Sequence, residues 1–421
     1  MRGMNKRLTP LLVIAMLFTS LAACGTGPAA EHPDTKPGIP AGDRVEAPSS
    51  QSSAPASEAP TTEMGDDSPA VSLQGSSLEQ FFEESWRELS LRDPERVLAD
   101  GLAEAYDLEG AQLTDISDTY VRETYEMYGA VLDSLHTYDR DQLSPEQQIS
   151  YDVYEWYLDD KLREQEFMYY DYPATFYPIT AVHLEMIHFF TDLHPVANQQ
   201  DAEDYVARLW QVGDKFEQLL EGLKLREDAG IIPPRFAIEW GLYGLRNLTR
   251  ANPKYTPFYE TFKERVAALD DVGEAEKEAL QKEAEKAIKD EVLPAYKDLM
   301  AYLEHLEGVA RTKDGVWQFR GGDEYYDYLL HYYTTTDLAA EEIHELGKKE
   351  LARIHEEMRT IFDDLGYPQD ESLPELFDRV ALDGGSIEAG QILETYNSII
   401  DEAGLNLDAA FDLRPKADVI V

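Results

Sequence analysis

The sequence predicts an all-α fold with at most a few short strands, and three observations carry that prediction. From Ser76 onward apolar residues return at the helical period of about 3.6 residues. Capping boxes open at Ser77, Ser144 and Ser372, where a Gln or Glu follows at the position that can reach back to the serine backbone. Strand signals, by contrast, reduce to GVWQF at Gly315–Phe319 and ADVIV at Ala417–Val421.

The helices can be justified in order. Ser77-Leu-Glu-Gln80 opens a helix through FFEESWREL. Ser144-Pro-Glu-Gln147 opens a second, with Pro145 at the first helical position, where its missing N–H costs nothing. In that helix Ile149, Val153, Trp156 and Tyr157 keep to one side. Residues Gly273 to Glu307, rich in Ala, Glu, Lys and Leu, read as one long exposed helix kinked at Pro294. Asp337 to Leu365 reads as another long helix, closed by Gly366. Ser372-Leu-Pro-Glu375 opens one more, and no repeat of constant period is present.

Ahead of Ser76 the composition changes. Arg2, Lys6 and Arg7 precede an apolar run, Leu11 to Phe18, that is too short to span a bilayer. LAAC at Leu21–Cys24, followed by Gly25, resembles the bacterial lipobox, in which the peptide is cut before the cysteine and the cysteine takes the lipid. Cys24 is the single cysteine, so an intramolecular disulfide is excluded. The expected organisation is a lipoprotein signal peptide over residues 1–23, a lipidated Cys24 with a flexible Pro/Ser-rich tether over 24–75, and a helical domain over 76–421. More than one acyl chain suffices for stable anchoring. The mature protein is thus expected at the cell membrane, facing outside the cytoplasm, with membrane lipid as its partner.

Charge excludes one class of function. Eighty-three acidic residues against 37 basic ones give a formal charge of −46, which repels phosphate backbones and argues against a nucleic-acid partner.

The stretch EEIHELGKKELARIHEEMR, Glu341 to Arg359, holds two His-Glu pairs of the kind that begins many zinc sites. A zinc helix needs a second His four residues on. Lys348 follows His344 at that distance and Arg359 follows His355, and neither cation has a lone pair to give. The two histidines lie about 16 Å apart along a helix, so they cannot share one metal. His183 and His188, five residues apart, diverge around a helix. No catalytic residue and no metal ligand is assigned. The richest cluster is GGDEYYDYLLHYYTTTDL, Gly321 to Leu338, with five tyrosines and three threonines after a glycine pair. Tyrosine offers a flat face and a hydroxyl, which suits a cleft for a peptide or a sugar, and equally a core layer.

The run from Asp314 to Tyr367 resembles the hallmark region of the bacterial domain of unknown function 885 family. Gly322, Tyr325 and Tyr326 carry the match, with Thr335-Thr336-Asp337, Glu342-Ile343-His344 and Gly347, Arg353-Ile354 and Glu357-Met358. LSPEQQISYD near residue 150 and GIIPPR at Gly230–Arg235 agree. The resemblance implies an exported or lipid-anchored protein related in fold to helical zinc carboxypeptidases. In a complete member it implies a zinc ion and a peptide substrate. Tyr325, Tyr326 and Thr335 would line the substrate cleft, and His344 would orient a partner group. The family's His-Glu motif, followed by Pro-Gly-His-His, has no counterpart here. The chain is therefore expected to be the N-terminal portion of a longer metallopeptidase-like protein, holding no cofactor itself. The alternative is a complete, non-catalytic, lipid-tethered helical binding protein.

Overall fold

The computed structural model describes residues 77–411, 414 and 419, apart from 109, 176–180 and 312–313. The signal peptide, Cys24, the tether and all of ADVIV except Val419 lie outside the described residues. Among the described residues there are helices and no strands, as the sequence predicts. In chain order the helices are α1 (Leu78–Ser90), α2 (Pro94–Ala99), α3 (Asp118–Leu135), α4 (Pro145–Glu164), α5 (Val182–His188), α6 (Gln199–Leu209), α7 (Val212–Asp228) and α8 (Arg235–Leu248). They continue as α9 (Pro257–Ala267), α10 (Glu274–Ala287), α11 (Leu293–Val309), α12 (Gly322–Thr334), α13 (Ala340–Asp364), α14 (Leu373–Gly384) and α15 (Ile392–Asn406). GVWQF, expected as a strand, winds instead into a 3-10 turn at Val316–Gln318, because the left-handed Gly321 turns the chain directly into α12.

All three capping boxes form. The side chains of Ser77, Ser144 and Ser372 each accept the N–H of the third helical residue, and that residue's side chain returns to the serine N–H. Two orphan N–H groups are satisfied at each helix start, which is worth about 1 kcal/mol per cap.

The main core is built around α11. Leu293, Tyr296, Leu299, Leu303 and Leu306 recur at helical spacing and are all buried. They face α8, through Ile238, Leu242 and Leu245, and α7, through Phe216, Leu219 and Leu223. The expected single exposed helix over 273–307 is thus corrected. It is two helices joined by a π-type turn at Ile288–Val292, and much of its inner side is core. Pro294 cannot donate a backbone N–H, so the ladder widens just before it and restarts at Leu293. The misreading has a physical source, since α10 buries Ala284 and Ala287, whose small side chains leave little hydrophobic signal among Glu and Lys.

A second cluster joins α1, α3 and α4 through Phe81, Val131, Leu135, Tyr151 and Leu158. The side of α4 that holds Ile149 and Val153 faces solvent, and the core side is that of Tyr151 and Leu158. A third, small cluster pairs α13 with α14 through Phe362, Leu373 and Leu376. The Schellman-like end of α13 forms at Gly366, whose φ of 86° a side chain would resist.

Two buried histidines are held uncharged. His183 on α5 is enclosed, its Nδ1 has no protein partner, and burial pushes its pKa down to about 4. His194 is also enclosed, and burial and then the Arg208 cation bring it to about 4. Its Nδ1 donates to the Pro195 carbonyl at 2.7 Å, so Nε2 is the lone pair that accepts from Arg208 at 2.8 Å. Protonation would set two cations face to face.

Both groups bind a proton less readily folded than unfolded. Their contribution is therefore neutral above about pH 6.5 and turns destabilising as pH falls toward 4. At pH 5 each should cost about 2 kcal/mol relative to pH 7.5. Urea unfolding at the two pH values measures the drop, and His194→Gln should remove about half of it relative to the unchanged chain. An identical pH dependence in that variant would overturn the assignment.

Candidate functional site

Aromatic residues from two distant segments meet at α12. At the end of α4 the chain makes a 3-10 turn, Gln165–Phe167, and then runs through Tyr169, Tyr170 and Tyr172. The Phe167 ring stacks on Tyr328 at 5.2 Å and tilts against Tyr325 at 5.5 Å. Tyr170 lies 5.0 Å from Tyr325. Along α12 the series continues from Tyr325 to Tyr328 at 6.5 Å and from Tyr328 to Tyr332 at 6.3 Å, as side chains one helical turn apart must.

The turn into α12 explains its glycine pair. Gly321 has φ 75°, and a Cβ there would crowd the Tyr170 hydroxyl, which donates to the Arg320 carbonyl. A Cβ on Gly322 would overlap the Val316 carbonyl oxygen. The helix therefore begins where backbone and tyrosine come too close for a side chain. At its other end Thr335, with φ 53°, occupies the left-handed region, which β-branched residues avoid.

Between α3, α7, the 167–173 segment and α12 lies a cleft of about 530 Å³. Its walls include Tyr125, Phe167, Tyr325, Tyr328 and Tyr332. Arg226 braces one wall. Its guanidinium donates to Asp171 at 2.5 and 2.8 Å, to the Met168 carbonyl at 3.2 Å and to the Gly222 carbonyl at 3.0 Å. Glu164 is paired with Lys161 at 2.7 Å. The charges in the cleft wall are thus matched, and its remaining chemistry is aromatic faces and phenolic hydroxyls. Burial pushes the Tyr325 phenol up to about 12, and Tyr125 and Tyr328 higher still, so each hydroxyl stays a hydrogen-bond donor at neutral pH.

Two buried polar atoms near this face have no protein partner. One is the Tyr172 hydroxyl, whose pKa is raised by burial and then by Tyr325; the other is Asp160 Oδ1, whose carboxylate follows burial and Glu164 in raising the pKa of Tyr328. Orphaned polar atoms in a core are uncommon and mark a place where polar chemistry is still available.

Of the residues the sequence singled out, Tyr325 lines the cleft. Tyr326, one position round the helix, is exposed on the adjoining side. Thr335 forms the turn out of α12, and His344 is exposed on α13, where neighbouring Glu345 pairs with Lys348. Neither Tyr326, Thr335 nor His344 is part of the cleft wall. Sequence reasoning missed Phe167, Tyr170 and Arg226. The aromatic run FMYYDY at Phe167–Tyr172 was the available signal.

The family model described as bacterial protein of unknown function (DUF885) matches residues 94–421. No curated protein matches the chain. Among solved structures it is similar to one described as "the putative lipoprotein from Colwellia psychrerythraea". The TM-score is 0.72 at 17% identity, over 81% of this chain and 60% of that one. At that identity the likeness carries the fold, and the chain spans 60% of that structure's length. No helix among the described residues is long and apolar enough to cross a membrane.

Two substitutions test the account of α12. Gly322→Ala should lower stability by about 3 kcal/mol and weaken the near-ultraviolet circular dichroism of the stacked tyrosines. Thr335→Gly should raise stability by about 1 kcal/mol, because it relieves a left-handed β-branched residue. Thermal unfolding measures both; a stabilising Gly322→Ala or a destabilising Thr335→Gly would refute the turn geometry.

Proposed function

The chain belongs to the bacterial DUF885 family, and we propose that its part there is to hold a peptide in the tyrosine-lined cleft, outside the cytoplasm, on a protein anchored through Cys24. The observation that carries this reading is the cleft itself. It pairs flat aromatic walls with protonated phenols and carries matched charges, which suits an extended chain with alternating apolar and amide surface.

In this reading the chain supplies the substrate-binding part of a longer metallopeptidase-like protein. The zinc of a complete member does not fit the residues described here. His344 and His355 are exposed and about three turns apart on one helix. His194 has both ring nitrogens engaged, and His183 stands alone in the core. Among the described residues no group of three or more His, Cys, Asp or Glu could hold a metal. No hydrolytic step is therefore assigned to this chain.

A second reading, a lipid-tethered binding protein that acts without catalysis, is favoured by the pairing of Arg226 with Asp171 and of Glu164 with Lys161, which commits the charges of the cleft wall to ion pairs.

Titration of the purified chain with a random tetrapeptide library, followed by intrinsic fluorescence, tests peptide binding. Saturable binding is expected. Tyr328→Ala should weaken it about tenfold, since a stacked ring is lost. Tyr326→Ala, on the exposed side, should leave it unchanged. Equal weakening by both variants, or no saturation in the unchanged chain, would sink the proposal.

A further inference from the structure

The face of α8 turned away from the core is unusual for a water-exposed helix. Ile238, Leu242 and Leu245 bury one side. On the opposite side Phe236, Trp240 and Tyr243 are 49%, 57% and 71% exposed. At about 100° per residue these three fall within one narrow stripe. Phe236 and Trp240 touch edge to face at 6.3 Å, so the stripe is continuous.

The charge around that stripe opposes the charge of the rest of the chain. Between Asp228 and Glu260 the sequence carries Arg235, Arg246, Arg250 and Lys254 against Glu239 alone, four basic and one acidic, while the whole chain is −46. Arg235, Arg246 and Arg250 are exposed, and the first two flank Glu239 on one border of the stripe. Lys254 is paired with Glu285 at 3.2 Å, so the cations of the segment with no ion pair among the described residues are the three arginines. Arg235 also donates to the Glu307 backbone carbonyl at 3.0 Å, which holds its guanidinium beside the end of α11.

We propose that α8 docks flat on an anionic membrane surface, with Phe236, Trp240 and Tyr243 at the headgroup level and Arg235, Arg246 and Arg250 on the lipid phosphates. Trp and Tyr favour that interface because one end of each ring is apolar and the other wet. Amphipathic helices with basic flanks bind there and add to a lipid anchor. The acidic body of the protein is repelled by the same surface, so this cationic edge sets which side approaches. The proposal rests on the lipid-anchor reading only in that the anchor brings α8 to the bilayer.

The test uses the mature chain carrying Cys24→Ser, which cannot be acylated. It is mixed with vesicles of phosphatidylglycerol and phosphatidylethanolamine, or of phosphatidylcholine alone, and floated. Binding to the anionic vesicles and a blue shift of tryptophan emission are expected. The double variant Phe236→Ser and Trp240→Ser should bind at least about tenfold less. The pair Arg246→Glu and Arg250→Glu should abolish the preference for phosphatidylglycerol. These are surface positions, and circular dichroism verifies that each variant is folded.

No flotation of the Cys24→Ser chain, or flotation that the four substitutions leave unchanged, overturns the proposal. So does a blue shift that appears without vesicles as protein concentration rises, because the stripe then belongs to a second copy. The intact mass of protein purified from its own membrane reports on the anchor separately. An acylated chain whose Cys24→Ser form fails to float keeps the anchor and removes the docking. An unacylated chain that floats keeps the docking and removes the anchor.

Discussion

Keeping α11 out of water is the constraint on which the rest of the main domain depends. Tyr296, Leu299 and Leu303 are wholly enclosed, and shielding such a stripe takes helices on more than one side. α7 and α8 supply them, and α10 extends the same core through the π-type turn. The Tyr296 hydroxyl then needs a partner at the centre of the core. It donates to the His183 carbonyl at 2.5 Å, which ties α5 to α11 and leaves the His183 ring in an apolar surround. One helix's apolar stripe thus fixes its neighbours, and one phenol fixes where a histidine must stay neutral.

The same arrangement governs what α8 presents outward. Its inner side is used up against α11, so whatever residues lie opposite have no core to enter. In most surface helices such positions are polar. Here they are Phe236, Trp240 and Tyr243, about half or more of each accessible to solvent.

Much of the architecture could be read from local signals. Serine caps, Pro145 at a helix start and Gly366 at a helix end act through hydrogen bonds and sterics within one turn, so single residues announce them. What failed to show was anything that depends on distant neighbours. The alanines of α10 look like exposed spacers until Ile288 and Val292 fold in beside them. Ile149 and Val153 look like a core face, yet α4 turns Tyr151 and Leu158 inward. The candidate cleft was visible only in part for the same reason. The tyrosines of α12 stand out as a cluster, but which of them share a wall is decided by Phe167, about 160 residues earlier in the chain, and by Arg226, which holds that wall in place. No pattern within α12 separates Tyr325 from Tyr326 without that second segment.

Left-handed residues close α12 at both ends, Gly321 before it and Thr335 after it. Each ends the run of helical backbone, so the segment between them has a fixed number of residues and a fixed rotational phase. Losing or gaining one residue there would turn everything beyond the change by about 100°. Tyr328 and Tyr332 would swing away from Phe167, and the two bracketing turns leave no slack to absorb the error. Point changes on the exposed side of α12 are cheap by comparison. Lineages of this protein are thus expected to vary freely in side chain along that outer side while keeping its length constant.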